Sequence, residues 1–167
     1  RGVWDLTIQE LSEEVVSGKP LPAPERLSSV CAERDVPRLV VPGCVDFVWG
    51  APEQTERFRG RRTYQFNSKV ILGKLTEAEI TNVAELMTTR LNRLAARCKV
   101  ALPLRGVSMF DKEGESFHAP DLDRVLFKRV RESLDPRIEI IDVDAHINDP
   151  EFAEACVSLL LEMMRRN

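Results

Sequence analysis

Short apolar runs alternate along this chain with segments that carry the three- and four-residue spacing of amphipathic helices. Four of the runs have the character of buried strands: residues 2–6, 38–43, 99–104 and 137–143. Strands that alternate with helices favour a mostly parallel sheet, because each crossover packs a helix onto the sheet. The sequence therefore predicts a single α/β domain over residues 1–167, with an open, Rossmann-like sheet and helices on both faces.

Capping signals place the helices between these strands. Thr7 with Glu10, and Thr76 with Glu79, have the Thr-x-x-Glu spacing of a capping box, which satisfies free N–H groups where a helix begins. Gly18 is placed to end the first helix in a left-handed conformation. Helices are predicted over about residues 7–17, 24–34, 76–97, 121–134 and 150–163.

Residues 44–75 show no sustained period of either kind, and we expect an irregular segment there. The segment contains "ERFRGRR", in which Arg57, Arg59 and Arg61 surround a glycine. Guanidinium groups bind phosphate and carboxylate through paired N–H donors, so these arginines are candidate contacts for an anionic ligand. A solvated loop with internal ion pairs is the alternative interpretation.

Composition narrows the classes of partner. The sequence has 24 Lys and Arg against 27 Asp and Glu, a formal net charge of −3, which does not favour a nucleic-acid partner. No apolar run approaches the ~18 residues that span a membrane, and the first residues lack the apolar core of a signal peptide. The four cysteines form no C-x-x-C pair, which favours buried thiols. We expect a cytoplasmic protein without a membrane or nucleic-acid partner.

The predicted sheet brings the unusual polar residues of the chain to one edge. In open parallel sheets, ligands bind beyond the carboxyl ends of the strands. Four segments should meet there: residues 5–7, 42–62, 105–120 and 142–149. Both histidines of the sequence, His118 and His146, lie within them. We therefore place the candidate site at this edge.

The segment "DVDAHINDPEF" is the richest in polar side chains. Asp149 precedes a proline, which predicts a helix start with Asp149 as its N-cap. Four further polar residues occupy alternate positions: Asp142, Asp144, His146 and Asn148. In an extended segment such residues point to one side, where they could surround a polar ligand. A solvated loop is again the alternative.

Turns after the predicted strands supply the remaining candidates. Gly106 and Ser108 directly follow a strand, and the backbone N–H groups of such a turn can hold a phosphate or carboxylate. Gly43 and Asp46 lie in the corresponding turn of "PGCVDF", and Asp5 and Thr7 end the first strand: these four complete the proposed ligand-binding set. Histidines and carboxylates here lack the spacing of known metal motifs, so no metal site is predicted.

Six motifs together resemble a known family: "WDLTIQEL", "VVPGCVDFV", "ERFRGR", "LPLRGVSMFD", "FHAPD" and "DAHINDPEFA". They are similar to the C-terminal part of the tobamovirus-resistance-protein-like family, whose members are described as ATP-binding-domain-like. The resemblance implies a two-lobed protein with a Rossmann-like arrangement in each lobe. The chain would then be a C-terminal lobe whose partner is an N-terminal lobe absent from it. The resemblance also implies ATP or another nucleotide as a candidate cofactor, without assigning it to either lobe.

Three functions stay open at this point. The leading one is binding of a nucleotide or other small anionic ligand at the carboxyl edge of the sheet. The second is an enzyme in which His146 or His118 acts as general base, paired with Asp144 or Asp142, on a small acid or phosphorylated substrate. The third is a protein-interaction module with an exposed apolar patch around residues 47–49. A homo-oligomer is also among the expected partners.

Overall fold

A computed structural model describes residues 1–19, 27, 36–93 and 97–165. Apart from Leu27, the helix predicted over residues 24–34 lies outside the described residues, as do Cys31 and residues 94–96 of the third predicted helix. In chain order the elements are β1 (Val3–Thr7), α1 (Glu10–Ser17), β2 (Arg38–Gly43), β3 (Phe47–Gly50), α2 (Thr55–Phe58), β4 (Thr63–Asn67), β5 (Val70–Lys74), α3 (Glu77–Asn92), β6 (Cys98–Pro103), α4 (Pro120–Ser133), β7 (Glu139–Val143) and α5 (Pro150–Arg165). No helix in these ranges has the length and apolar character to cross a membrane.

The central sheet has four strands in the order β1-β2-β6-β7, and every neighbouring pair is parallel. Because this order runs in one direction, right-handed crossovers place α1, α3 and α4 on the same face. Leu11, Val83 and Leu126 from these helices share one core cluster with Val40 of β2. The predicted open parallel sheet is confirmed.

The opposite face of the sheet is covered by α5. Side chains alternate along β2, so Leu39 and Val41 point away from the first cluster and join Phe152 and Cys156 of α5 in a second one. All six residues of β2 are buried, as expected for a parallel strand covered on both sides. Helices on both faces are thereby confirmed.

The prediction of an irregular segment over residues 44–75 is wrong. These residues form an antiparallel three-stranded sheet in the order β3-β5-β4, with α2 between β3 and β4. Its strands are only four or five residues long, and β4 is mostly exposed, so little apolar alternation marks them in the sequence. The buried side of this sheet packs on Phe110 and Phe117 from the segment after β6.

The capping box predicted at α3 is confirmed and the one predicted at α1 is wrong. The Thr76 side chain accepts from the N–H of Glu79, and Glu79 accepts in return from the Thr76 N–H at 2.9 Å. Thr7, in contrast, is the last residue of β1, and Gln9, the N-cap residue of α1, makes no capping bond with its side chain. The end of α1 is as predicted, since Gly18 has a φ of 65°.

Candidate functional site

The loops that follow β2, β6 and β7 meet at the carboxyl edge of the parallel sheet. The N–H of Cys44 donates to the carbonyl of Val107 at 2.8 Å, which joins the first two loops. The N–H of Ile147 donates to the carbonyl of Gly106 at 3.1 Å, which joins the second and third. These bonds join three of the four segments that sequence reasoning placed at this edge, and the fourth reaches it through Thr7, which pairs with Gly43.

His146 lies inside this junction and is 2% exposed. Its Nε2 atom is 2.9 Å from the carbonyl oxygen of Ser108, and its Nδ1 atom accepts the N–H of Asn148 at 3.2 Å. An Nδ1 that accepts leaves the ring proton on Nε2, which then donates to Ser108. Both ring nitrogens are thus engaged with backbone groups, which is the arrangement of a structural cross-link.

The prediction that the alternate polar side chains of residues 142–149 point to one side of an extended segment is wrong. After β7 the chain turns, because the N–H of Asp149 donates to the carbonyl of His146 at 2.9 Å. As a result His146 is buried while Asp144 and Asn148 are exposed. Asp149 precedes α5 as predicted, but its carboxylate accepts the N–H of His146 at 2.9 Å. That backbone bond lowers the pKa of the Asp149 carboxyl.

The turn at Gly106–Ser108 holds a carboxylate of the protein itself. One oxygen of Asp111 accepts the N–H of Val107, and the other accepts the N–H of Ala119, each at 3.1 Å. Asp111 is fully buried. The N–H of Val107 in this turn is therefore already bonded to a carboxylate of the same chain.

A buried ionic cluster lies behind this turn. The Lys74 ammonium is 3.2 Å from a carboxylate oxygen of Asp46 and 3.6 Å from one of Asp111. The hydroxyl of Ser108 donates to the same oxygen of Asp46 at 3.0 Å. Asp123, on the first turn of α4, adds a third buried carboxyl group.

One lysine cannot neutralise three carboxyl groups, and the pKa values of this cluster reflect that. Burial raises the pKa of Asp46. Burial, then the charge of Asp111 and the hydrogen bond to it, raise the pKa of Asp123 to about 8. Because Asp111 already accepts two N–H groups, the proton of the Asp111–Asp123 pair lies on Asp123 at neutral pH.

A polar cleft of about 440 Å³ opens beside this cluster. The residues that line it are Leu104, Arg105, Lys112, Glu113, His118, Pro120, Asp123, His146 and Asp149. Arg105 pairs with Asp144 at 2.7 Å and Lys112 pairs with Asp149 at 3.7 Å, and both cations are more than half exposed. The Nδ1 atom of His118 is enclosed and has no hydrogen-bond partner within the described residues.

An aromatic cavity of about 490 Å³ lies on the other side of the loop after β6. The residues that line it are Thr7, Gln9, Cys44, Phe47, Trp49, Phe66, Val70, Leu72, Ser108, Met109 and Phe110. The exposed fractions of Trp49, Phe66 and Met109 are 53%, 53% and 57%. The patch predicted at residues 47–49 is corrected, since Val48 is fully buried and Phe47 packs edge-on against Phe110.

The candidate arginines hold carboxylates of this chain. Arg61 binds both carboxylate oxygens of Glu79 at 2.6 Å, and Arg57 binds Glu13. Arg59 forms an exposed pair with a residue three positions before it. The hydrogen bonds from Arg61 lower the pKa of Glu79 to about 2. These contacts are the internal ion pairs that the alternative interpretation of the arginine segment predicts.

The candidates on the first two strands also have structural partners. The carboxylate of Asp5 accepts the Nε–H of Arg38 at 2.7 Å, and both side chains are buried. Thr7 is paired with Gly43 across the sheet. A Cβ atom on Gly43 would lie 2.1 Å from the carbonyl oxygen of Leu6, so only glycine lets these strands approach so closely.

A model of the C-terminal domain of the uncharacterised protein family UPF0261 matches residues 1–164. The chain belongs to this family. It is 34% identical to a UPF0261 protein of Clostridium tetani over 99% of its own length and 42% of that protein. It is 34% identical to one of Rhizobium meliloti over 94% of its own length and 40% of that protein.

A plant protein is also among the relatives that the chain matches. The chain is 30% identical to the ToMV resistance protein Tm-1(GCR237) of Solanum lycopersicum, over 98% of its own length and 22% of that protein. The family resemblance drawn from the six motifs is confirmed. The chain spans about two fifths of the bacterial UPF0261 proteins it matches, which is consistent with a C-terminal portion of such a protein.

Sequence reasoning missed three residues of this UPF0261 domain that build the site: Lys74, Asp111 and Asp123. A lysine that ends the apolar run "VILGK" was one available signal, because a strand that is buried must place its lysine against a carboxylate. The partners could not be named, since Lys74 and Asp46 are 28 residues apart. Across residues 1–19, 27, 36–93 and 97–165, no group of three or more His, Cys, Asp or Glu side chains is arranged to hold a metal ion.

Proposed function

We propose that this domain binds a small anionic ligand, a phosphate or a carboxylate, in the polar cleft. The observation that carries the proposal is the pair of exposed cations, Arg105 and Lys112, at a cleft beyond the carboxyl ends of β6 and β7. Their present ion pairs are weak, because the pair with Asp144 is solvent-exposed and the Lys112 ammonium is 3.7 Å from Asp149, which is 30% exposed. A ligand anion can therefore replace these carboxylates at small cost.

The proposed ligand is held by side chains and not by a glycine-rich turn. The sequence contains no G-x-G-x-x-G spacing, and the N–H of Val107 in the Gly106 turn is already bonded to Asp111. A nucleotide fits the proposal through its phosphates at Arg105 and Lys112. Inorganic phosphate is the smallest probe of the same chemistry.

The test is isothermal titration calorimetry with inorganic phosphate and with ATP. Lys112→Ala and Arg105→Ala are expected to weaken the binding of each by about tenfold, because each removes one charge-assisted contact. Arg59→Ala is the matched control, since Arg59 is an exposed, paired arginine outside the residues that line the cleft. No binding of either anion, or equal binding by all three variants, would contradict the proposal.

A second function, an enzyme, is favoured by the protonated Asp123 at the wall of the same cleft. An acid with a pKa of about 8 is close to the pH at which a general acid works best. His118 lines the same cleft and supplies a group that can accept a proton. In this form of the proposal the pair is Asp123 with His118, whereas His146 is engaged by Ser108 and Asn148.

Turnover of a panel of small carboxylic acids and phosphate esters tests the enzyme. Activity is expected to fall as pH rises through about 8, and Asp123→Asn is expected to remove both the activity and this pH dependence. Asp121→Asn, an exposed aspartate on the same helical turn, is the control. Anion binding without turnover of any member of the panel would leave binding as the function and reject the enzyme.

A further inference from the structure

We propose that the aromatic cavity is a second, separate binding site, and that it takes an uncharged aromatic ring bearing an N–H or O–H donor, such as indole or phenol. This site does not depend on the anion site of the polar cleft. It would give the domain a ligand class that none of the earlier proposals includes.

The position and size of the cavity suit a small organic ligand. One wall comes from β3, β4 and β5, and the other from the ends of β1 and the loops after β2 and β6. It therefore lies at the carboxyl edge of the parallel sheet, where α/β domains bind ligands. Its volume of about 490 Å³ is within the range of small-molecule sites.

Aromatic rings line the cavity, and the outer rings are only partly covered by other side chains. Phe110 packs against Tyr64, Phe66 and Phe117 with ring centroids 5.1, 6.2 and 5.9 Å away. Phe66 is the outer ring of this cluster, Trp49 lines the same cavity, and both remain about half exposed. A planar ring placed against them would gain the offset or edge-to-face contacts that the outer rings lack, and would cover apolar surface.

The lining excludes a charged ring. No Asp, Glu, Lys, Arg or His is among the described residues that line the cavity. The thiol of Cys44 also stays neutral, because burial first and the charge of Asp46 second raise its pKa to about 11. An ion placed among these residues would lose its hydration without gaining a counter-charge.

The hydroxyl of Ser108 decides which uncharged ring fits. Its proton is committed to Asp46 at 3.0 Å, so the oxygen can only accept from any further partner. A ligand that offers an N–H or O–H completes a hydrogen bond there, whereas a ligand that offers only an acceptor does not. The donor requirement follows from the position of Asp46 behind the cavity wall.

The hydroxyl oxygen of Ser108 lies deep, which favours a small ring as the ligand over the surface of a second copy of this chain. Ser108 is only 1% exposed, although it lines the cavity. The edge of a small planar molecule can reach an atom that is enclosed in this way, whereas a broad protein surface would stop at the exposed rings of Trp49 and Phe66. A second copy is retained as an outcome of the test.

Calorimetric titration of the protein with indole and with indene tests the inference, because the two rings differ in one N–H. Indole is expected to bind about fivefold more tightly, the effect of one ordinary hydrogen bond. Phe66→Ala is expected to weaken both ligands by about fivefold through loss of a ring contact. Leu161→Ala, an exposed apolar residue of α5, is the matched control and should change neither affinity.

Ser108→Ala is expected to abolish the preference for indole while indene still binds, with folding checked by thermal denaturation. Equal affinities of wild-type protein for indole and indene would overturn the donor requirement, even if Ser108→Ala failed to fold. Absence of binding by both rings would overturn the site. A concentration-dependent dimer that Phe66→Ala dissociates, with no ring binding, would assign the surface to a second copy.

Discussion

The Nε2 atom of His146 lies 2.9 Å from the carbonyl oxygen of Ser108, and this contact ties the loop after β7 to the loop after β6. Ser108 in turn donates to Asp46 in the loop after β2. A chain of hydrogen bonds therefore runs across the carboxyl ends of three parallel strands. The histidine that the sequence singled out for chemistry holds this edge together.

His146→Ala is expected to lower the free energy of unfolding by about 2 to 4 kcal/mol, because it leaves a cavity and removes one of the two hydrogen bonds to the buried carbonyl of Ser108, which keeps the N–H of Asp111. Urea denaturation measures the loss. His118→Ala is the control and is expected to cost less than about 1 kcal/mol, since its Nδ1 has no partner among the described residues. Unchanged stability of His146→Ala would contradict the structural role.

Asp123 makes the stability of the domain depend on pH. Its pKa is about 8 in the folded chain, against about 3.9 for an unfolded aspartate, so the folded chain holds one more proton between these values. Stability therefore falls as pH rises through this window, by roughly 1 kcal/mol per pH unit. Asp46, whose pKa is also raised, acts in the same direction.

Asp123→Asn is expected to flatten this slope, because the amide keeps the hydrogen bond to Asp111 and never ionises. Urea denaturation at pH 5, 6.5 and 8 measures the free energy of unfolding of each protein. Asp121→Asn should retain the wild-type slope, since Asp121 is exposed. A slope that survives unchanged in Asp123→Asn would place the ionisation elsewhere.

The parallel sheet was predictable from the sequence because its signals are local. The apolar run of β2 and the capping box of Thr76 with Glu79 each lie within a few residues, and both proved correct. The second sheet left no such signal, since β4 is exposed and its pairing with β5 depends on a core supplied by Phe110. Alternation predicts a strand only where one face is buried.

The candidate site was predictable in position and only partly in content. Parallel strands must end at a common edge, so the meeting of the loops followed from the sheet alone. The use of each side chain did not follow, because a backbone N–H binds an internal carboxylate as readily as a ligand. The carboxylate of Asp111 binds the N–H of Val107, and the carboxylate of Glu79 binds the guanidinium of Arg61. Both contacts depend on the folded chain.

Arg61→Ala is expected to lower the free energy of unfolding at pH 7 by roughly 1 kcal/mol, through loss of a paired, partly buried contact with Glu79. The pKa of Glu79 is lowered to about 2, so this contribution is present above the ordinary glutamate pKa and is lost as pH falls towards 2. Denaturation of wild type and variant at pH 7 and pH 3 measures it.

The matched control for Arg61→Ala is Arg59→Ala, whose exposed pair should contribute nothing measurable. Phosphate binding should be unchanged in both variants, since neither arginine lines the polar cleft. A loss of phosphate binding in Arg61→Ala at unchanged stability would restore Arg61 as a ligand contact.

Gly106 is expected to be the least replaceable residue of the loop after β6. Its φ is +129°, and a Cβ atom there would lie 2.0 Å from the carbonyl oxygen of Asp111 and 2.7 Å from Cδ2 of His146. Gly106→Ala should therefore cost about 4 kcal/mol or more, because backbone and a hydrogen-bonded ring would have to move. Gly114→Ala, at a φ of +87° with no atom within 4 Å, should cost only about 1 kcal/mol. Thermal denaturation of both variants compares the two losses, and equal losses would mean that backbone strain, and not contact with Asp111 and His146, requires the glycine.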